Sequence, residues 1–138
     1  MSELMEVAKH GAEQVAKGFT KPDDDWLAIV ITTSENGEHN VREIAVTDDK
    51  IYSAATLATH CYMQNAVEAV FLSSAYATDN NGVAEVVVLC YVSQDDAQSE
   101  MAEILRDGVS PPSLGEWRQM DMQSGLLVDA LKLGCSVI

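Results

Sequence analysis

His60 and Cys61 stand side by side, and an imidazole next to a thiol is the pairing that nucleophilic catalysis uses. Their spacing is wrong for that work. Both fall in a stretch of helical periodicity, where neighbours point about 100° apart, so neither serves the other as nucleophile or base. Cys61 lies on the apolar side of that stretch and reads as a small core hydrophobe. Asp23, Asp24 and Asp25 offer consecutive carboxylates, and Asp79-Asn80-Asn81-Gly82 is also rich in oxygen. A calcium site needs roughly six oxygens at defined offsets, which neither run supplies, and the second is explained by turn chemistry. His10, His39 and His60 have no ligand spacing. The chain carries no P-loop, GxGxxG, HExxH, CxxC or G-x-S-x-G pattern. The sequence thus nominates no catalytic residue, no metal ligand and no cofactor, and it leans away from an enzyme.

Two weaker groups remain. Ser73, Ser74 and Tyr76 close a strand beside a turn, where polar side chains either wall a pocket or mark the strand leaving the core. Tyr62, Ser74, Tyr76 and Tyr91 are the candidates for a pocket between a sheet and the helix over 47–66, or at a dimer interface. Trp26, Trp117 and Arg118 are candidate interface anchors, the last two lying beyond the Pro111-Pro112 break.

The elements that must position these residues follow from periodicity and punctuation. Leu4, Met5, Ala8, Ala12, Val15, Ala16 and Phe19 mark an amphipathic helix over 2–18, with Ser2 as N-cap and Gly18 at its end. A hairpin follows, with strands over 26–33 and 39–47 around Asn36-Gly37. Arg42, Ile44 and Val46 face one side of its second strand, whose charges suit a sheet edge. A helix over 47–66 begins at the cap candidates Thr47, Asp48 and Asp49. The second hairpin pairs 69–78 with 83–92, and Val86–Val92 is apolar on both faces, as a central strand is. Ala97, Met101, Ile104 and Leu105 predict a third helix over 93–107, closed by Gly108. A tail from 110 to 138 adds a short strand over 114–120 and a short helix over 123–133, packed on the domain or on a partner subunit. The expected fold is a single α+β domain over 1–138, ordered α-ββ-α-ββ-α-tail, with a four- to five-stranded, mostly antiparallel sheet and helices packed on it. The helix between the second and third strands leaves a parallel crossover open. Three helices leave part of such a sheet uncovered, which points to the tail or a second copy of the chain.

The second hairpin, AVFLSSAYAT then EVVVLCYVS, followed by EILRDG and LGEW, resembles a layout in small uncharacterised prokaryotic proteins of phage and mobile-element type. The resemblance spans about residues 20–120 and implies no activity, cofactor or catalytic residue.

Charge sets the outer limits. With 22 Asp and Glu against 8 Lys and Arg, the net charge is -14 on 138 residues. Such a surface repels phosphate backbones and anionic lipid, which argues against nucleic-acid and membrane partners. No apolar run reaches the ~18 residues of a membrane span, the N-terminus lacks a signal-peptide pattern, and three cysteines suit a reducing compartment, so a cytoplasmic location is expected. The leading expectation is a small acidic accessory protein, non-enzymatic and homodimeric, that binds a protein with a basic surface or a small ligand. The alternatives are a small enzyme or ligand-binding domain with the pocket above, and an acidic nucleic-acid mimic that blocks a basic site.

Overall fold

The computed structural model describes residues 3–21, 26, 28–43, 50–79, 82–93 and 96–120. Helix α1 spans Glu3–Lys17 and buries Leu4, Met5, Ala8, Ala12 and Ala16 along one stripe. Glu3 and Glu6 in its first turn and Lys17 in its last complement the helix dipole. Gly18 closes it, donating its N–H to the Gln14 and Val15 carbonyls at 3.1 and 3.0 Å. The Ser2 cap lies outside the described residues.

Strands β1 (Ile29–Ser34) and β2 (His39–Glu43) form the first hairpin. Gly37 sits at φ 86, the left-handed position that a three-residue hairpin loop assigns to glycine. The Gly37 N–H donates to the Ser34 carbonyl and the Ser34 N–H to the Glu38 carbonyl, each at 2.9 Å. The Asn36 side-chain oxygen accepts from the Glu38 N–H at 3.1 Å and also takes the Ser34 hydroxyl. Helix α2 (Lys50–Met63) leads into the long hairpin of β3 (Ala66–Asp79) and β4 (Gly82–Ser93). The caps expected at Thr47, Asp48 and Asp49, and the turn residues Asn80 and Asn81, lie outside the described residues.

The helix expected over 93–107 is instead a strand, β5 (Ala97–Leu105). Its residues have good helix propensity, but tertiary demands override it. Strand β4 is buried on both faces, and its outer edge needs a partner for its backbone. Strand β5 supplies one, from Val86↔Glu103 to Val92↔Ala97. Strands β6 (Ser113–Leu114) and β7 (Arg118–Met120) then pair along the outer edge of β5, where one short strand over 114–120 was expected. The helix expected over 123–133 lies outside the described residues.

The sheet has seven strands rather than four or five, in the order β2-β1-β3-β4-β5-β6, with β7 also on β5, and all the pairings are antiparallel. Strands β2 and β3 run parallel, but β1 lies between them, so the α2 crossover spans one strand. Helix α1 packs on one face, over Ile31, Val70, Leu72, Val87, Leu89, Tyr91 and Ile104. Helix α2 packs on the other, where Leu57 and Cys61 meet Val30, Ala69, Phe71, Cys90 and Val92. Both faces therefore carry a helix from the same chain. A charged contact joins helix to sheet on the α1 face: Lys9 Nζ lies 2.7 Å from Glu100 Oε2, with both side chains largely withdrawn from solvent.

Candidate functional site

Local sequence builds a groove between α2 and the first hairpin. Helix α2 ends abruptly. The Gln64 N–H donates to the His60 carbonyl at 3.0 Å, and Asn65 turns the chain at φ 52 straight into β3. That turn ties the last helical residues to the sheet. Opposite them, the hairpin register pairs Arg42 with Val30 and Asn40 with Thr32. Val30 belongs to the α2-face core, so Arg42 and Asn40 stand on the same face as the helix.

Between them lie two hollows. One, of about 420 Å³, is lined by Arg42, Thr56, Thr59 and His60. The other, of about 280 Å³, is lined by Thr32, Asn36, Glu38 and Asn40. Met63 and Gln64 line both, so the hollows adjoin along the helix end and are together termed the groove.

Two residues that line these hollows carry a buried polar atom without a partner. His60 is 6% exposed and its Nε2 makes no hydrogen bond; Thr32 is 1% exposed and its Oγ1 makes none. An unsatisfied buried polar atom costs about 1–3 kcal/mol, which a ligand that reaches it would offset. Among the described residues, Trp26 Nε1 and Trp117 Nε1 are also unpartnered, but both indoles pack against the α1-face core. Burial, and secondarily the charge of Arg42, lowers the pKa of His60, so its imidazole is neutral at neutral pH, with one donor and one acceptor nitrogen. The groove is rich in donors: the Arg42 guanidinium, the Gln64 and Asn40 amides and the threonine hydroxyls outnumber the one carboxylate, Glu38.

The pocket residues expected from sequence do not line this groove. Ser74, Tyr76 and Tyr91 share the α1 face of the sheet, opposite to α2, by the pairings Ser74↔Val87, Tyr76↔Glu85 and Val70↔Tyr91. Tyr76 is 76% exposed, and Tyr91 is buried, donating its hydroxyl to Glu68 Oε2 at 2.8 Å. Tyr62 lies on α2, with its side chain outside the described residues. Of the interface candidates, Trp26 is buried against Phe19, ring to edge at 5.8 Å; Trp117 is half-buried against the α1-face core, and Arg118 is exposed on β7. His10 and His39 are exposed, and Asp23, Asp24 and Asp25 lie outside the described residues.

Sequence reasoning treated His60 as structural and passed over Arg42 and Thr32. A signal was there: in the sequence Arg42 alternates with Ile44 and Val46, a lone charge in an apolar row.

A third hollow, of about 590 Å³, lies at the far end of β4 and β5 and is lined by Tyr76, one of the pocket residues expected from sequence. Three of the charged residues that line it are engaged with one another or with backbone, and Glu103 also lines it. Arg106 Nε donates to Glu85 Oε1 at 2.6 Å, and the Asp107 carboxylate accepts the N–H groups of Ser110 and Val109, which lower its pKa. No helix among the described residues is long and apolar enough to cross a membrane. Compared with protein-family models, curated proteins and solved structures, the chain matches none.

Proposed function

We propose that this protein is a small non-enzymatic binding protein whose working site is the groove between α2 and the first hairpin, and whose ligand is a small polar molecule. One observation carries the reading. His60 and Thr32, whose Nε2 and Oγ1 are buried and unpartnered, line the two adjoining hollows of the groove. In a packed interior such atoms are normally satisfied, and here a small side-chain rotation would bring each toward a hollow that a ligand can fill.

The test is an NMR screen of small polar compounds against the full chain, following the Met63 methyl and the Gln64 side-chain amide. A true ligand shifts both. At a hundredfold excess over its Kd it also raises the unfolding free energy by about 2.7 kcal/mol. A screen whose shifts all map outside the groove overturns the reading.

Self-association is a second reading, favoured by the β2 edge. Every residue of β2 is exposed, Val41 at 64%, and among the described residues no strand pairs with its outer side. Antiparallel pairing centred on Val41 sets His39 against the partner's Glu43 and Arg42 against the partner's Asn40, so like charges never meet. Five residues make a short ladder, and the expected dimer is weak, with a Kd of about 10–100 μM. Sedimentation showing a monomer at every concentration up to about 1 mM rejects it, since a contact that weak would still be populated there.

A further inference from the structure

We propose that the groove seats a small oxyanion, a carboxylate or a tetrahedral phosphate-like group, between the Arg42 guanidinium and the His60 imidazole. This rests on the groove being the binding site and goes further by naming the ligand's chemistry.

The residues select an anion. Arg42 excludes a cation from the 420 Å³ end of the groove and presents a planar fork of donors that matches a carboxylate or phosphate edge. His60, Thr56 and Thr59 line the same end, and among the described lining residues there no carboxylate competes. Glu38, the carboxylate lining the other hollow, and His39 lie at the hairpin side of that hollow. Glu43 belongs to the opposite face of β2, by its pairing with Ile29. The net charge of -14 opposes an anion at long range, but at physiological salt fields fade over about 8 Å, so the groups lining the hollow weigh most.

Binding is linked to a proton. In the free protein His60 is held neutral by burial and by the neighbouring guanidinium. An anion on Arg42 cancels that second influence and adds an attraction of its own, so the imidazole takes one proton from the buffer as the ligand enters. By reciprocity the anion binds more tightly as pH falls toward the range in which the liganded imidazole is protonated.

The experiment is a pH titration of the His60 ring by NMR on the full chain. The resonance is assigned by its loss in His60→Gln. Titrations are run alone, with sodium sulfate as the tetrahedral probe and with sodium acetate as the carboxylate probe, all at ionic strength matched with sodium chloride. A rise of about one unit in the His60 pKa is expected with at least one probe, equivalent to about tenfold tighter binding at low pH than at high pH. The more effective probe identifies which oxyanion geometry the groove prefers. Arg42→Gln should abolish the rise while the circular dichroism spectrum stays unchanged. If neither anion moves His60 but a neutral polar compound shifts Met63 and Gln64, the anion assignment falls and the groove stands as a binding site. If neither anions nor neutral compounds move any of these signals, both readings fall. If Arg42→Gln keeps the full rise, the role given to Arg42 is wrong.

Discussion

Lys9→Ala should lower the unfolding free energy by about 3 kcal/mol, read by urea denaturation at neutral pH. The effect is large for a single lysine because of what is left behind. Glu100 is 7% exposed on the α1 face of β5, and Lys9 Nζ neutralises it at 2.7 Å. Removing the lysine strands a carboxylate in an apolar layer beside Ala102 and Ile104, which are 0% and 5% exposed. Glu6 lies 3.9 Å from the same ammonium but is largely solvated, so its loss as a partner matters little. Replacing both partners tests the cause. Lys9→Met with Glu100→Leu should recover most of the loss, since a buried ion pair exchanged for apolar groups is close to neutral. A double variant as unstable as Lys9→Ala would show that the lysine stem, rather than its charge, holds α1 to the sheet.

Phe71→Ala should cost about 3–5 kcal/mol in the same measurement. Phe71 is 2% exposed and lies in the α2-face core with Leu57, Cys61, Val30 and Cys90. That layer is made mostly of small side chains, so its neighbours have little reach with which to fill the space an alanine would leave. With total stability commonly 5–15 kcal/mol, this variant sits near the point of unfolding at room temperature. The milder Phe71→Leu should fold and cost about 1–2 kcal/mol. Equal losses from the two substitutions would mean that α2 contributes little to stability through this ring.

These contacts show where the sequence could be read and where it could not. The long hairpin was legible because β3 and β4 are apolar runs separated in the sequence by Asp79-Asn80-Asn81-Gly82, and the signal for each lies within the run itself. Asn36-Gly37 marked the first hairpin for the same reason. Strand β5 was misread because its decisive partners are remote. Glu100 looks like an exposed helix residue until Lys9, from the other end of the described chain, is seen to meet it, and Ala97, Met101 and Ile104 match a helical stripe by coincidence of spacing. The groove was half legible. A pocket between the sheet and the second helix follows from the order of elements, but its residues depend on which strand face α2 covers. That is set by the β1–β2 register and by β1 lying between β2 and β3, neither of which the local pattern reveals. The tyrosines stood out as pocket-like side chains, and the register places Tyr76 and Tyr91 on the opposite face.

The placement of β2 has a consequence for how backbone amides exchange with solvent. Strands β3, β4 and β5 follow one another in the chain, and residues such as Val70, Leu72, Leu89 and Val92 are sealed between two helical layers, so their amides open only with the whole fold. Strand β2 is held on one side, by β1, is exposed throughout, and frays at far lower free energy. The groove spans that divide: His60 rides on a helix anchored in the core, while Arg42 and Asn40 sit on the strand that opens first. A molecule that bridges the two stitches a fast-exchanging edge to a slow-exchanging centre. Its affinity is therefore set as much by how often the edge is closed as by the contacts it makes.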